Sequence, residues 1–331
     1  MEYRKLGQSD LNVSVVTFGA WAAGGWMWGG TERSESVKAI RAGFDLGVTS
    51  IDTAPVYGQG TSEEIVGEAI KGIPRDKVQI LTKFGLSWEG TNGQFFFHSK
   101  NNDGKPIDIY RNAKKESVIR ECESSLKRLG TDYIDLLQIH WADPTTPVHE
   151  TMEAVVRLIE QGKVRYAGVC NYDVALMEEA AKTINLVSDQ VSYSMVKRDI
   201  EKELVPYLIK NKQSVLAYSP LQRGLLAGKI KPGQQFADGD TRADLPYYTA
   251  KNVELTNAFL ERIRPIAEGK NATLSQLVIR WTIEQPGITI ALVGARNAAQ
   301  ALENAGAASI HLSSEEMEFI NSELTKLKLE L

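Results

Sequence analysis

Four residues capable of acid–base chemistry lie at the ends of three successive predicted β-strands. Asp52 is in the run Thr49–Ala54, Tyr57 follows that run, Lys83 ends the next run, and His140 lies near the end of a third. The carboxyl ends of parallel strands meet at one edge of a barrel. We therefore expect an acid, a phenol, an ammonium and an imidazole to converge there.

The chemistry that this set allows is proton transfer to a carbonyl oxygen while hydride reaches the carbon. Tyrosine is a weak acid with a reference pKa of about 10, and a Lys83 ammonium beside it favours the phenolate. Asp52 would hold Lys83 charged and oriented, and His140 could orient a carbonyl or share the proton. Each residue alone has an ordinary explanation as a turn, cap or surface residue, so the hypothesis depends on all four meeting.

The elements that must position these residues are short apolar strands that alternate with amphipathic helices. Val118 and Cys122 mark one helical face, which Gly130 ends. Such alternation predicts either a closed barrel or a doubly wound sheet. The number of strands favours an α/β fold of the (β/α)8 TIM-barrel type. The predicted strands are Val16–Trp21, Thr49–Ala54, Val78–Lys83, Ile134–Trp141, Val164–Asn171, Gln190–Ser194, Val215–Pro220 and Ile288–Ala295.

The glycine patterns do not support the doubly wound alternative. A nucleotide-binding sheet of that kind would carry Gly-x-Gly-x-x-Gly after its first strand. The nearest string has Gly58 and Gly60 but places Glu63 where the third glycine is needed. The string from Gly224 to Lys229 is one residue too short for a phosphate-binding P-loop.

Two connections between predicted elements are long, Phe84–Lys115 after strand three and Gln222–Asn252 after strand seven. Long loops at the carboxyl ends of barrel strands usually bind ligands or cover them. The alternative is a disordered insertion, which the composition of Asn101–Lys105 suggests. The aromatic cluster Phe95–Phe97 indicates that part of the first loop packs.

Composition excludes several classes of function. The chain has 331 residues and a formal net charge of −4, from 38 basic and 42 acidic residues, which gives no basis for a nucleic-acid partner. No stretch approaches the ~18 apolar residues of a membrane span, and the first twenty residues do not fit a signal peptide. Two isolated cysteines, Cys122 and Cys170, favour a reducing compartment. We expect one cytoplasmic domain over residues 1–331 without a metal site, and the oligomeric state stays open.

Several strings resemble the aldo-keto reductase family, in the family's order along nearly the whole chain. The resemblance is to the bacterial branch with long strand-end loops, and it implies a catalytic tetrad in which Tyr57 is the general acid in reduction. The tetrad would consist of Asp52, Tyr57, Lys83 and His140. The strings are Ile51–Gly58, Thr82–Lys83, Ser125–Leu136, Ile139–Trp141, Gly168–Asn171, Ala217–Leu221 and Gly294–Asn297.

The resemblance also implies NADP(H) as the cofactor. Asn171 and Gln190 would hydrogen-bond the nicotinamide carboxamide, and Tyr218 would stack on its ring. Arg296, beside a helix start at Asn297, would contact the 2′-phosphate that distinguishes NADP from NAD. The other implied contacts are Ser219, Leu221, Arg223 and Gly224 with the pyrophosphate, and Gln300, Glu303 and Asn304 with the adenosine.

Two further features concern the binding sites. The family usually has serine where Cys170 stands, and since a thiol is a poorer donor than a hydroxyl, this change either weakens nicotinamide binding or has little effect. Five tryptophans in or near the strand-end loops are candidates for the wall of an apolar substrate pocket. Core and loop packing explains them equally well. They are Trp21, Trp26, Trp28, Trp88 and Trp141.

The expected function is NADPH-dependent, reversible reduction of aldehydes or ketones, with sugars among the candidate substrates. The potassium-channel β subunits share this barrel and motif set, so a cofactor-binding sensor or regulatory subunit with little turnover is the alternative. A barrel glycosidase would need two carboxylates about 5–10 Å apart at the strand ends, and only Asp52 is clearly placed there.

Overall fold

A closed barrel of eight parallel strands forms the centre of the computed structural model, which describes residues 1–30, 32–237 and 240–331. The strands of the described residues, numbered in chain order, are β1 (Tyr3–Lys5), β2 (Asn12–Ser14), β3 (Val16–Gly19), β4 (Ser50–Asp52), β5 (Gln79–Phe84), β6 (Leu86–Ser87), β7 (Gln94–Lys100), β8 (Pro106–Arg111), β9 (Ile134–Ile139), β10 (Val164–Cys170), β11 (Leu186–Ser192), β12 (Ser214–Tyr218) and β13 (Ile288–Val293).

The barrel strands follow one another in chain order, β3, β4, β5, β9, β10, β11, β12 and β13, and the ring closes where β13 pairs with β3. Helices connect successive strands, so the predicted (β/α)8 barrel is confirmed. The helices are α1 (Arg33–Asp45), α2 (Thr61–Ile70), α3 (Lys115–Leu129), α4 (Val148–Glu160), α5 (Val174–Ala181), α6 (Leu204–Lys210), α7 (Ala250–Gly269), α8 (Leu274–Glu284), α9 (Ala298–Gly306) and α10 (Ser314–Lys326).

The helices begin and end where local chemistry satisfies their free backbone groups. Asn297 accepts a hydrogen bond from the Gln300 N–H at the start of α9, which is the usual role of an N-cap. Gly130 ends α3 at a φ of 64°, a left-handed conformation that favours glycine. None of the helices in the described ranges combines the length and the hydropathy that crossing a bilayer requires.

The barrel interior explains why the strand sequences are so apolar. Every residue of β9 is buried, because the barrel interior covers one face of a parallel strand and the helices cover the other. Leu136 and Leu81 lie in an interior cluster that also contains Leu6 and Val13 from the β1–β2 region. The β1–β2 hairpin therefore closes one end of the barrel and leaves the carboxyl ends of the strands for the site.

The sixth barrel strand, β11, starts four residues before its predicted start at Gln190. Ser188 and Asp189 interrupt the apolar pattern there, yet both are fully buried. Because this polar pair interrupts the apolar pattern, a prediction based on hydrophobicity alone misses the start of the strand.

The first long loop contains a three-stranded antiparallel sheet of β6, β7 and β8. The segment with the composition of a disordered insertion is the turn between β7 and β8, where the Asn101 side chain accepts from the N–H groups of Asp103 and Lys105 at 3.0 and 2.9 Å. The indole of Trp26 donates to Lys100 O at 3.0 Å. This sheet is thereby joined to the loop after β3 and covers one side of the barrel mouth.

The described part of the second long loop contains short 3-10 turns at Gln222–Ala227, Thr241–Asp244 and Pro246–Tyr248 before α7 begins. Tyr248 donates its hydroxyl to the carbonyl oxygens of Gln222 and Arg223 at 2.7 and 3.0 Å. These bonds hold the returning end of the loop against its start.

Asp189 is buried on β11, and neither of its carboxyl oxygens has a well-aligned hydrogen-bond donor among the described residues. Burial raises the pKa of this carboxyl group well above its ordinary value, and the nearby backbone N–H groups of Asn171 and Tyr172 offset the rise only in part. The folded protein therefore keeps a proton that the unfolded chain loses above a pH of about 3.9.

Asp189→Asn is expected to remove a pH dependence of stability. Because the folded-state pKa is the higher one, stability declines as pH rises from the unfolded towards the folded pKa, by up to about 1.4 kcal/mol per pH unit. The free energy of unfolding, measured by denaturant titration at several pH values, should fall more steeply for the parent than for Asp189→Asn. Glu121, whose pKa burial raises to about 7, also contributes to the pH dependence of stability. Its contribution is the same in the parent and in Asp189→Asn, so it cancels when the two curves are subtracted. Parallel curves would show that Asp189 is ionised in the folded protein.

Candidate active site

The structure brings together the four residues singled out for acid–base chemistry. Asp52 ends β4, Tyr57 lies in the loop that follows, Lys83 is on β5, and His140 directly follows β9. Lys83 Nζ donates to Asp52 Oδ1 at 2.6 Å and to Thr53 O at 3.0 Å. Because Lys83 and Asp52 are only 1% and 4% exposed, this ion pair holds the ammonium group in a fixed position.

The charge of Lys83 is maintained by its partners. Burial alone would lower the pKa of its ammonium group, but the net shift is upward, mainly because of the Asp52 carboxylate. Lys83 is therefore a permanent cation near neutral pH, at 5.0 Å from the centre of the Tyr57 ring.

Lys83 favours the Tyr57 phenolate, as expected from the sequence, but burial of the phenol has the larger, opposite effect. Burial raises the pKa of the Tyr57 phenol, and although the Lys83 ammonium acts in the opposite direction, the net shift is upward. The phenol therefore keeps its proton at neutral pH in the structure as described. Such a group is a proton donor, and the adjacent cation stabilises the anion that donation leaves behind.

His140 is a neutral imidazole beside the phenol. Burial and then the Lys83 charge lower the pKa of His140 well below its ordinary value. Its ring meets the Tyr57 ring edge to face, with ring centres 5.6 Å apart. A neutral imidazole there can donate a hydrogen bond to a carbonyl without adding a second positive charge.

The second oxygen of Asp52 has two amide neighbours. Gln190 Nε2 donates to Asp52 Oδ2 at 2.7 Å, and Gln138 Nε2 lies 3.3 Å from the same oxygen. Gln190 was predicted from the resemblance, whereas Gln138 was not. An amide-bearing residue inside the otherwise apolar run of β9 was the available signal for Gln138.

Asn171 and Tyr218 lie together next to the acid–base group. Tyr218 donates its hydroxyl to Asn171 Oδ1 at 3.0 Å, and Asn171 Nδ2 donates to His140 O at 3.2 Å. Asn171 has a φ of 59°, a conformation that asparagine tolerates better than most residues. Cys170 is 1% exposed, and burial raises the pKa of its thiol well above the ordinary value. It is therefore a neutral thiol, unsuited to nucleophilic chemistry.

A cavity of about 620 Å³ opens at the carboxyl ends of the barrel strands. Four of the five predicted tryptophans line it, namely Trp21, Trp26, Trp28 and Trp141. Trp88 is the exception: it packs, like Trp141, against the apolar cluster that contains Trp26 and Leu86, but it does not line the cavity. Sequence reasoning did not assign Phe96 and Phe97 to the cavity wall, although it predicted that their cluster packs.

Another part of the same cavity carries positive charge. Arg223 donates to Thr241 Oγ1 at 2.8 Å, and Arg296 donates to Trp28 O at 2.7 Å. Within residues 1–30, 32–237 and 240–331, neither arginine forms an ion pair. Arg242, which the sequence did not single out, also lines the cavity but is paired with Asp240 at 2.6 Å. This region fits a ligand with negatively charged groups, such as phosphates.

The remaining predicted cofactor contacts also line this cavity, and several already hold one another in place. Gln300 Oε1 accepts from the Arg296 N–H at 2.9 Å, and Asn304 Nδ2 donates to Gly294 O at 3.1 Å. Gly224 has a φ of 96°, where a side chain would be strained. The lining residues of this set are Ser219, Leu221, Arg223, Gly224, Arg296, Gln300, Glu303 and Asn304. Across the described part of the chain, no cluster of His, Cys, Asp and Glu has the composition to hold a metal ion.

Known proteins resemble this chain in both sequence and fold. The chain is 37% identical over 324 residues to the aldo-keto reductase YhdN of Bacillus subtilis, covering 97% of this chain and 93% of that protein. It is 34% identical over 313 residues to the NADH-specific methylglyoxal reductase of Escherichia coli, covering 93% of this chain and 94% of that protein.

Solved structures agree over the same length. A glycerol dehydrogenase from Gluconobacter oxydans superposes with a TM-score of 0.88 at 34% identity, covering 98% of this chain and 95% of that one. An aldo-keto reductase from Klebsiella pneumoniae in complex with NADPH gives a TM-score of 0.73 at 29% identity over 100% of both chains. The sequence model of the Aldo/keto reductase family matches residues 15–324. The chain therefore belongs to the Aldo/keto reductase family.

Proposed function

We propose that the protein is an NADP(H)-dependent reductase that converts aldehydes or ketones to alcohols. The observation that carries the proposal is one cavity lined both by Tyr57 and His140 and by Arg223 and Arg296. The first pair suits a carbonyl that receives a proton, and the arginines suit the phosphates of a dinucleotide.

The proposed chemistry assigns one task to each residue of the tetrad. Bound NADPH would supply a hydride to the carbonyl carbon. Tyr57, protonated because burial raises its pKa, would donate its proton to the carbonyl oxygen as general acid. Neutral His140 would orient that oxygen by a hydrogen bond. Lys83, held by Asp52, would stabilise the phenolate that remains.

The residues that would hold the cofactor are those implied by the resemblance. Asn171 and Gln190 would bind the nicotinamide carboxamide, and Tyr218 would contact its ring. Support comes from the cavity that they share with the two arginines. Relatives differ in the cofactor they use, because one is solved with NADPH and another is named NADH-specific. We propose a preference for NADPH because Arg296 stands beside the start of α9, where free N–H groups and the helix dipole favour a phosphate.

Arg296→Ala is expected to weaken NADPH binding by tens-fold and to leave NADH binding nearly unchanged. A charge-assisted hydrogen bond contributes about 1.5–3 kcal/mol, and NADH has no phosphate at that position. Fluorescence titration of both cofactors into the parent and the variant measures this. Equal weakening of both would mean that Arg296 acts through its contact with Trp28 O. A parent that binds NADH more tightly would contradict the proposed preference.

The cavity wall guides the proposal about the substrate. Side chains from the loop after β3 and from the β7 strand present apolar surface, including Trp26, Met27, Phe96 and Phe97. Apolar walls with few polar groups favour a substrate with an apolar substituent on the carbonyl. We therefore propose aryl or alkyl aldehydes as better substrates than sugars.

A nicotinamide absorbance assay with the purified protein tests the proposed function. The panel contains an aryl aldehyde, methylglyoxal and an aldose with NADPH, and glycerol with NADP⁺. We expect turnover in both directions, with the aryl aldehyde reduced most efficiently. Tight NADPH binding with no consumption of any carbonyl would favour the regulatory alternative over the reductase.

We further propose that residues 1–331 form one domain that works in the cytoplasm. Both long loops contribute to the same cavity as the barrel strands, which supports a single unit. Cys122 and Cys170 are free and buried, and unpaired thiols are usual in a reducing compartment.

A further inference from the structure

Gln138 lies inside the barrel and connects two parts of the site. Its side chain is 0% exposed and does not line the cavity. Gln138 Nε2 donates to Asp52 Oδ2, and Gln138 Oε1 accepts from Gln190 Nε2, each at 3.3 Å. A buried amide with these two partners touches both the ion pair of the tetrad and a residue of the cavity wall.

The polarity of these bonds is set by Asp52. As the partner of the Lys83 ammonium, the Asp52 carboxylate only accepts hydrogen bonds, so both glutamine amides must turn an N–H towards it. The oxygen of Gln138 is then left to face Gln190. Gln190 consequently directs one N–H to Asp52 at 2.7 Å and the other to Gln138.

This arrangement leaves the Gln190 carbonyl oxygen as the group available to a ligand. Gln190 lines the cavity, and both of its amide hydrogens have partners inside the protein. A ligand at this point must therefore donate a hydrogen bond to Gln190. The amide nitrogen of a carboxamide meets that requirement.

We propose that Gln138 is a positioning residue that fixes the orientation of Gln190, so that its carbonyl oxygen receives the nicotinamide carboxamide. The identity of the ligand rests on the proposed function. Without Gln138, one N–H of Gln190 loses its partner and only the bond to Asp52 holds the amide, so its carbonyl oxygen is less firmly aimed at the carboxamide. Gln138 would thereby favour binding of the nicotinamide end of the cofactor without contacting the cofactor itself.

Gln138→Leu tests this by comparing two ligands. We expect the affinity for NADP⁺ to fall about three- to tenfold, as for the loss of one hydrogen bond. The adenosine bisphosphate half of NADP⁺, which lacks nicotinamide, should bind as in the parent. Both are measured by fluorescence or calorimetric titration. Gln285→Leu is the matched control, because Gln285 is a buried amide outside the cavity that donates to Trp281 O at 3.1 Å.

Gln138→Glu gives a second, pH-dependent readout. A protonated carboxyl in that place can donate to Asp52 and accept from Gln190, as the amide does. Burial and the neighbouring carboxylate raise the pKa of the introduced carboxyl, so the protonated form persists at low pH. We expect nearly parental NADP⁺ affinity at low pH and a loss as pH rises, in excess of any change in the parent or in Gln285→Leu.

The outcomes separate this inference from the reductase proposal. Equal weakening of NADP⁺ and adenosine bisphosphate by Gln138→Leu, or no additional pH dependence in Gln138→Glu, would overturn the role of Gln138. If the parent binds both ligands but reduces no carbonyl, the reductase proposal fails and the role of Gln138 stands on the binding data. If the parent does not bind NADP⁺, both are overturned.

Discussion

Tyr57→Phe is expected to lower turnover about 10²–10⁴-fold, the usual contribution of a positioned general acid, while NADP⁺ still binds. Phenylalanine keeps the ring that stacks with Trp21, whose centre lies 5.9 Å away, and the ring edge that meets His140. It removes only the hydroxyl group. Steady-state kcat with an aryl aldehyde and the dissociation constant for NADP⁺ are the two quantities to measure.

The two measurements together decide the role of Tyr57. A large loss of kcat with an unchanged dissociation constant assigns the proton donation to the phenol. Activity close to that of the parent would mean that another group beside Tyr57, such as Lys83 or His140, supplies the proton. Loss of NADP⁺ binding would instead show that the hydroxyl group shapes the site.

Lys83→Met is expected to lower kcat about as much, and also to destabilise the fold. Methionine removes the cation that stabilises the Tyr57 phenolate, so proton donation becomes harder. It also leaves Asp52 without its ammonium partner at a site that is 4% exposed. Removing one partner of a buried ion pair typically costs about 3–5 kcal/mol. Thermal or denaturant unfolding measures this loss alongside kcat.

A double variant separates the two effects of Lys83. Asp52→Asn combined with Lys83→Met removes both charges, so much of the stability should return, while kcat should remain low because the cation is still missing. If the double variant recovers activity together with stability, Lys83 acts through folding and has no direct effect on proton donation.

The barrel and the meeting of Asp52, Tyr57, Lys83 and His140 could be predicted from the sequence because the signals are local. Asp52, Lys83 and His140 each stand at the end of a β-branched or apolar run, and the carboxyl ends of parallel strands meet at one mouth. The missed start of β11 has a physical reason. Asp189 is buried there, and burial raises its pKa well above the ordinary value, so a residue that looks charged in the sequence is accommodated in the core.

The remaining parts of the site depend on tertiary contacts that no local pattern reports. Gln138 is one polar residue in an apolar strand, and only the arrangement of β4, β9 and β11 in the barrel shows that it lies between Asp52 and Gln190. Trp88 resembles the other loop tryptophans in sequence and packs against the same apolar cluster as Trp141, but it does not line the cavity. Arg242 lines the cavity only because the second long loop returns to it.

The central claim is that the protein transfers hydride from NADPH to a carbonyl. The most direct test supplies NADPH carrying deuterium at the transferred position of the nicotinamide, together with an aryl aldehyde, and analyses the alcohol by mass spectrometry. The proposal predicts one deuterium in each alcohol formed, bound to the former carbonyl carbon, and one alcohol for each NADPH oxidised. Alcohol without deuterium, or NADPH oxidised without alcohol, would contradict it.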